Sequence, residues 1–265
     1  MNHLPPRALV GMVHLAALPG TPRHRHPVDR IAELAVRDAT VLVRAGFDAV
    51  LVENMSDVPY LPRDVGPEIV AAMTAAVAAV RSAVRVPIGV QVLAGANRAA
   101  MAVAHASGAS FIRAEGFVFA SVADEGLLAE ADAGPLLRYR RAIGADGIGI
   151  FCDIKKKHSS HALTADVNLA ETAGAAAFCG ADAVVVTGRT TGAATAIDDL
   201  RAARAGTALP VMVGSGATAA SLPTLLAHAD AVIVGSSIKS GGRWDRPVDA
   251  RRARAFVKAA GRRRR

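Results

Sequence analysis

The segment FCDIKKKHSSH, residues 151–161, places an aspartate, three lysines and two histidines directly after an apolar run. Carboxylates, amines and imidazoles are the usual groups of general acid–base catalysis, and a lysine among other cations can also form a Schiff base. An aspartate that ends a buried strand and is followed by a basic loop therefore predicts a catalytic site rather than a solvated turn. The candidate catalytic residues of this segment are Asp153, Lys155, Lys157 and His158.

Polar residues also close several other apolar runs of the chain. The candidate catalytic residues among them are His14, Glu53, Arg113 and Glu115, and the candidate substrate contacts are Asn54, Gln91 and Thr187. A buried carboxylate without a partner is costly, so Glu53 in particular favours a functional role. For Arg113 and Glu115, an internal structural pair and a catalytic pair are equally good readings.

Side chains of a strand alternate between two faces, so parity indicates which polar residues point the same way. Arg113 and Glu115 share a face with Phe111, and Asp153 and Lys155 share a face with Phe151. If the intervening apolar residues pack against helices, these charged groups point into the mouth of a barrel. Parity favours Lys155 over its neighbours as the inward lysine.

Apolar runs and amphipathic stretches alternate along the whole chain. Strands are predicted at 8–14, 48–54, 87–93, 109–116, 147–153, 182–188, 210–215 and 230–236. Helices are predicted at 28–45, 66–84, 97–107, 133–143, 164–179, 193–205, 217–228 and 247–260. Eight strands alternating with eight helices predict an α/β protein, a single (β/α)8 TIM barrel spanning residues 1–260.

Two connections are long enough to cover the barrel mouth. Residues 116–134 separate the fourth strand from the fourth helix, whereas such a loop usually has about 2–6 residues. We expect this long loop to act as a lid, with residues 15–27 as a second candidate.

The last two strand–helix junctions, VGSGAT (213–218) and VGSSIK (234–239), predict a phosphate site. Glycine lets backbone N–H groups approach an anion closely, and the loops after the seventh and eighth strands commonly bind phosphate in such barrels. Lys239 is expected to add a countercharge. The candidate phosphate ligands are Gly214, Ser215, Gly216, Gly235, Ser236 and Lys239, with a contribution from VTGRTTG (186–192).

Composition excludes several other classes of protein. No apolar segment approaches the roughly 18 residues of a membrane helix, and two cysteines make neither a zinc set nor a disulfide framework. The formal net charge is +8, of which the tail GRRRR (261–265) supplies four, leaving 8 − 4 = +4. We expect this tail to be disordered, nucleic acid not to be a partner, and the protein to be cytoplasmic.

The chain resembles the BtpA/SgcQ family of TIM-barrel proteins. The motifs that carry the resemblance are GMVHLAALPGTP, VENMSDVPY, FIRAEGFVFASVADEG, CDIKKKHSSHAL, VVVTGRTTG, VGSGAT and IVGSSIKSGGRWDRPVD. The resemblance adds Asp124 as a substrate contact and Gly188 as a phosphate contact, and it favours Lys157 and His158 over Lys155. One branch of the family is linked to photosystem I biogenesis and another to a sugar-metabolism gene cluster.

We therefore expect an enzyme that acts on a phosphorylated sugar or nucleoside-like compound. Asp153 or Glu53 would be the general base or oxocarbenium stabiliser, and Lys157 or His158 the general acid. Isomerase or lyase chemistry and N-glycosidic cleavage remain equal alternatives, and a non-catalytic assembly factor is the competing class. The sequence identifies no cofactor apart from Mg²⁺, for which Glu53, Asp153 and Asp124 are candidate ligands, and a homo-oligomer is left open.

Overall fold

A computed structural model describes residues 4–155, 158–188 and 195–261. Eight parallel strands form a closed barrel in which each strand pairs with its neighbours along the chain, and the last strand pairs with the first. Helices alternate with these strands, so the predicted TIM barrel is confirmed. Lys157, part of VTGRTTG and the arginines of the tail lie outside the described residues.

The strands are β1 (Ala8–His14), β2 (Ala49–Glu53), β3 (Ile88–Gln91), β4 (Phe111–Ala114), β5 (Ser121–Ala123), β6 (Gly126–Leu128), β7 (Gly149–Ile154), β8 (Ser159–Ser160), β9 (Ala183–Val186), β10 (Val211–Val213) and β11 (Ala231–Val234). The helices are α1 (Val28–Ala45), α2 (Pro67–Ala83), α3 (Asn97–Ser107), α4 (Ala133–Ala142), α5 (Leu169–Phe178), α6 (Ile197–Gly206), α7 (Leu222–Leu226) and α8 (Ala250–Ala259). All strands except β5, β6 and β8 belong to the barrel.

The barrel strands are buried on both faces, which explains their continuous apolar runs. Residues of one parity, such as Ile112, Ile150 and Cys152, pack outward against the helices. Residues of the other parity, such as Phe111 and Phe151, form a separate cluster inside the barrel. The parity prediction is therefore confirmed for the residues within β4 and β7.

Two stacked rings fill the centre of the barrel. The ring centroids of Phe111 and Phe151 lie 4.6 Å apart, on the neighbouring strands β4 and β7. Gly89 on β3 makes room for them, because a Cβ atom there would lie 2.2 Å from the Phe111 ring and 2.8 Å from Leu51. This packed layer forms the floor beneath the polar mouth.

Residues 116–134, the predicted lid, contain two short strands. They form the hairpin β5–β6, and β5 also pairs with β8, which follows the fifth barrel strand. The result is a three-stranded antiparallel sheet beside the barrel mouth. Arg63 ties this sheet to the barrel by donating to the carbonyl oxygens of Gly116, at 3.2 Å, and Glu130.

No helix in the described part of the chain combines the length and apolarity that a bilayer-spanning segment requires.

Replacing Gly89 with alanine should destabilise the protein by about 1–3 kcal/mol, because the added methyl group overpacks the aromatic layer. Gly147→Ala is the matched control, since a Cβ atom there meets nothing within 4 Å. Urea unfolding of both variants measures the difference. Equal stability of the two variants would contradict the packing described for the barrel floor.

Candidate active site

One residue of each barrel strand stands two positions beyond the packed interior and marks the mouth. These residues are His14, Glu53, Gln91, Arg113, Asp153, Thr187, Gly214 and Gly235. Six of them are polar and two are glycines on neighbouring strands. All eight are predicted site residues, and they lie at the carboxyl ends of the strands, as expected for a TIM barrel.

Arg113 and Asp153 form a buried, two-pronged ion pair across neighbouring strands. Arg113 Nε and Nη2 donate to the two carboxylate oxygens of Asp153 at 2.9 and 2.8 Å, and the side chains are 4% and 1% exposed. Arg113 Nη1 also lies 3.4 Å from the carbonyl oxygen of Gly214, on the far side of the barrel. The guanidinium thus spans the centre of the mouth.

The charge of this guanidinium is secured by the carboxylates around it. Burial alone would lower the pKa of Arg113, but the charge and hydrogen bonds of Asp153, followed by the charges of Glu53 and Glu115, raise it above its usual value. Arg113 is therefore a permanent cation facing the cavity. Since both oxygens of Asp153 are engaged, Asp153 positions Arg113 and is a poor candidate for the general base.

His14 and Glu53 form a second pair on the neighbouring strands β1 and β2. His14 Nε2 lies 3.4 Å from Glu53 Oε2, and their side chains are 8% and 7% exposed. His14 Nδ1 lies 2.9 Å from the carbonyl oxygen of Trp244. A carbonyl only accepts, so Nδ1 carries a proton and Nε2 is the nitrogen that exchanges a proton with Glu53 or a ligand.

A cavity of about 320 Å³ opens above these groups. Its lining combines the His14–Glu53 pair, Arg113 and the two glycine–serine junctions. The lining residues are Met12, His14, Glu53, Met55, Arg113, Gly214, Ser215, Gly216, Ala217, Thr218, Gly235, Ser236, Ser237, Gly242 and Arg252. A larger groove, about 840 Å³, lies at the opposite, amino-terminal end of the barrel, away from these acid, base and amide groups.

Glycine at two strand ends keeps this cavity open. A Cβ atom on Gly214 would lie 2.5 Å from Val185, 2.7 Å from Thr187 and 3.0 Å from Arg113 Nη2. A Cβ atom on Gly235 would lie 3.4 Å from the His14 ring. Position 214 therefore requires glycine mainly because Val185 and Thr187 leave no room for a side chain, with Arg113 close by. The sequence predicts this glycine only from the close approach of phosphate.

Asp153 and Lys155 lie behind Arg113 and do not line the cavity that holds Glu53 and His14. They line a separate pocket of about 30 Å³ beneath the small sheet. Lys155 Nζ donates to the carbonyl oxygen of Val167 at 2.6 Å, just before the capping box by which Asn168 and Glu171 begin α5. The parity prediction for Lys155 therefore does not bring its amine to the cavity.

His158 and Asp124 lie together on the small sheet. His158 Nδ1 is 3.7 Å from Asp124 Oδ2, with side chains 37% and 76% exposed. Neither residue lines the cavity that holds Glu53 and His14. Their positions therefore do not support the predicted roles of His158 as general acid and of Asp124 as substrate contact. Within residues 4–155, 158–188 and 195–261, no three His, Cys, Asp or Glu side chains form a group that could hold a metal ion. Glu53, Asp153 and Asp124, the candidate Mg²⁺ ligands, are therefore not brought together.

Three predicted polar residues are buried at the edge of the site. Gln91 Nε2 lies 3.4 Å from Glu115 Oε1, which joins the third and fourth barrel strands. In the described part of the chain, neither Gln91 Oε1 nor the Thr187 hydroxyl has a hydrogen-bonding partner. Buried polar atoms of this kind are normally satisfied by water or a ligand.

Asn54 braces loops rather than facing the cavity. Its side chain donates to Asp57 at 2.8 Å and accepts from the Leu93 amide at 2.8 Å, and Asp57 accepts from the Leu18 amide at 2.8 Å. Burial raises the pKa of Asp57, and the hydrogen bonds from Leu18 and Asn54 partly oppose this. The side chain of Asn54, predicted as a substrate contact, instead links the loops that follow β1, β2 and β3.

The predicted phosphate ligands divide into two groups. Gly214, Ser215, Gly216, Gly235 and Ser236 line the cavity, as the two junctions predicted. Gly188 lies one layer behind, where its amide donates to the Ser215 hydroxyl at 3.1 Å.

Lys239 points away from the cavity. It is 1% exposed, and its Nζ lies 3.8 Å from Asp38 of α1. Burial lowers the pKa of Lys239, although the charge of Asp38 opposes this change. The amine predicted as a countercharge therefore does not reach the cavity, because the chain turns through a 3₁₀ segment at Ser236–Ile238 just before Lys239.

Sequence reasoning missed three contributors to the mouth. Arg252, in the first turn of α8, lines the cavity, and the carbonyl oxygen of Trp244 orients His14. The Tyr60 hydroxyl donates to the carbonyl oxygen of Met55. Burial and the charge of Glu53 raise the pKa of Tyr60. Tyr60 and Trp244 lie within two of the motifs that carry the family resemblance, VENMSDVPY and IVGSSIKSGGRWDRPVD. Nothing in the basic run around Arg252 distinguishes the arginine that faces the cavity.

These observations define a (β/α)8 barrel with an acid–base pair, a buried cation and two glycine–serine junctions around one cavity. The chain belongs to the BtpA family, whose model matches residues 6–262. A Caenorhabditis elegans protein, uncharacterised and described as mitochondrial, is 44% identical over 94% of this chain and 91% of its own length. The photosystem I biogenesis protein BtpA of Synechocystis is 34% identical over 95% and 87%.

Solved structures of low sequence identity share the fold. Tryptophan synthase of Mycobacterium tuberculosis has a TM-score of 0.62 at 19% identity, covering 96% of this chain and 93% of its own. Phosphoribosyl anthranilate isomerase of Thermus thermophilus has a TM-score of 0.59 at 13% identity, with 96% and 98% covered. Thiamine phosphate pyrophosphorylase of Pyrococcus furiosus has a TM-score of 0.57 at 14% identity, with 96% and 95% covered.

Replacing Asp153 with asparagine should lower the free energy of unfolding by about 3–5 kcal/mol, because it leaves a buried guanidinium without its paired charge. Asp146→Asn is the control, since the Asp146–Arg141 pair is exposed and should contribute at most about 1 kcal/mol. Urea unfolding gives both values. A loss for Asp153→Asn no greater than that of the control would contradict the positioning role.

Proposed function

We propose that this protein is an enzyme that acts on a phosphorylated sugar or nucleoside-like small molecule. The observation that carries the proposal is the shared cavity: an acid–base pair, a buried cation and two glycine–serine junctions line the same space. The barrel neighbours support it in a general way, since two of their names include a phosphorylated compound. Fold likeness alone would not assign a reaction.

Glu53 and His14 would transfer the proton. The carbonyl of Trp244 holds a proton on His14 Nδ1, so Nε2 and the Glu53 carboxylate act as the exchanging atoms. In an isomerase or lyase, one member would remove a proton beside a carbonyl and the other would return it. In N-glycosidic cleavage, Glu53 would stabilise an oxocarbenium ion and His14 would protonate the leaving base. A water molecule would then add to the sugar carbon and return a proton to His14.

Arg113 would stabilise negative charge that develops on the substrate. Its guanidinium lines the cavity and is already fixed by Asp153, so it need not reorganise during the reaction. An enediolate oxygen in the isomerase or lyase alternative is the natural recipient. In N-glycosidic cleavage the sugar develops positive charge instead, which Glu53 rather than Arg113 would stabilise, and the two reaction classes remain alternatives.

A non-catalytic assembly factor is the second candidate. The Synechocystis relative, 34% identical to this chain, is named a photosystem I biogenesis protein. An assembly role would keep the barrel while making the proton pair dispensable. Glu53→Gln separates the two functions, because in vivo function of this variant with intact ligand binding would favour assembly over turnover.

Binding of a phosphorylated ligand should change the fluorescence of Trp244, the single tryptophan of the chain, whose ring centroid lies 6.4 Å from that of His14. The panel consists of inorganic phosphate, ribose 5-phosphate, glucose 6-phosphate and uridine 5′-monophosphate. A bound ligand should also raise the melting temperature by mass action. Failure of every phosphorylated compound in both measurements would contradict the proposal.

For a bound compound that is converted, Glu53→Gln should lower kcat about 10²- to 10⁴-fold, the usual contribution of general acid–base catalysis. Proton NMR distinguishes isomerisation of the sugar phosphate from release of a free base. Glu33→Gln is the control, because Glu33 pairs with Arg30 on the exposed face of α1. A kcat equal to that of the control would remove Glu53 from the mechanism.

A further inference from the structure

Arg252 occupies the rim of the cavity above the two glycine–serine junctions. Its Nη1 donates to the carbonyl oxygen of Ser237 at 3.1 Å and lies 3.7 Å from where a Cβ atom on Gly242 would stand. Asp249 caps the start of α8 by accepting from the amides of Arg251 and Arg252. The helix start and the Ser237 carbonyl together hold the guanidinium over the cavity.

Backbone donors converge beneath this guanidinium. The N–H groups of Ser215, Gly216, Ser236 and Ser237 donate to no acceptor in the described ranges, and all four residues line the cavity. Two of these amides belong to the junction after β10 and two to the junction after β11. Partly buried amides without an acceptor favour an anion at this point.

We propose that Arg252 is the cationic ligand of this site and that its anion is a phosphate monoester. This inference rests on the proposed function and narrows its substrate class. A monoester presents three terminal oxygens, which match three sets of donors: the two junctions and the guanidinium fork. A carboxylate or a phosphodiester presents two such oxygens and leaves one set unmatched.

The size of the cavity narrows the remainder of the ligand. Its volume of about 320 Å³ is near the lower end of the range, about 300–1,000 Å³, of small-molecule sites. With the phosphate beneath Arg252, the rest of the molecule extends toward Glu53 and His14. A single phosphorylated sugar ring fits this space better than a dinucleotide.

The neighbouring Arg251 offers a matched control for the test. It carries the same charge, lies one residue earlier in the same turn, is exposed and does not line the cavity. Arg251→Gln and Arg252→Gln therefore change the net charge equally. Because both side chains are exposed, neither substitution should prevent folding, which thermal unfolding verifies.

Calorimetric titration with ribose 5-phosphate gives the affinity of each variant. Arg252→Gln should raise the Kd about 10- to 100-fold, the loss expected for a charge-assisted hydrogen bond, whereas Arg251→Gln should change it less than about 2-fold. Ribose 5-(methyl phosphate), a diester with the same sugar, should bind wild-type protein at least about 10-fold more weakly than the monoester.

Three outcomes overturn different statements. Equal Kd values for the two variants, with binding by the wild type intact, would refute the role of Arg252 and leave the proposed function standing. Equal affinity for the diester would refute the monoester assignment. Failure of wild-type protein to bind ribose 5-phosphate or any other phosphorylated compound of the panel would refute the proposed function and this inference together.

Discussion

The mouth of this barrel is organised by one buried cation. A guanidinium remains charged at every physiological pH, so Arg113 can be buried only with compensating charge and hydrogen bonds. Asp153 supplies both in a two-pronged pair, and Glu53 and Glu115 add further negative charge. The position of the cation then decides what each surrounding residue can do.

Two consequences follow from the reach of Arg113 across the barrel. A Cβ atom at Gly214 would approach Arg113 Nη2 to 3.0 Å, so Arg113 adds to the exclusion of a side chain there by Val185 and Thr187, at 2.5 and 2.7 Å. The guanidinium also separates the mouth into two spaces, with Asp153 and Lys155 on one side and Glu53 and His14 on the other. Only the second space is large enough for a substrate, which is why proton transfer is assigned to the His14–Glu53 pair.

The sequence predicted the barrel and most of its mouth because parity along buried strands obeys a simple geometric rule. Parity predicts that Arg113 and Asp153 point inward, and position at the end of a predicted strand identifies His14 and Glu53. Parity says nothing about which charges pair. The sequence therefore does not predict that Arg113 occupies both oxygens of Asp153, which makes Asp153 a poor candidate for the general base. Beyond the strand ends the rule fails: Lys239 turns toward Asp38, and the cation of the rim is Arg252, which approaches from a later helix. Loop conformations of this kind depend on tertiary contacts that local patterns do not encode.

The long connection after the fourth barrel strand shows the same limit. Its length predicted a cover for the mouth, yet its strands pair with residues that follow the fifth barrel strand, and Arg63 fastens both of its ends. His158 and Asp124 consequently meet on this sheet instead of in the cavity. The segment 151–161, which carries several ionisable side chains, therefore contributes β8 to the small sheet. His14 on β1, a single histidine in an apolar run, faces the cavity.

The most direct measurement is a crystal structure of the protein with ribose 5-phosphate bound. The account predicts the phosphate within hydrogen-bonding distance of the Gly216 and Ser236 amides, and the sugar between Arg113 and the His14–Glu53 pair. Phosphate bound instead in the basic groove at the other end of the barrel, lined by Arg7, Arg201 and Arg204, would contradict it.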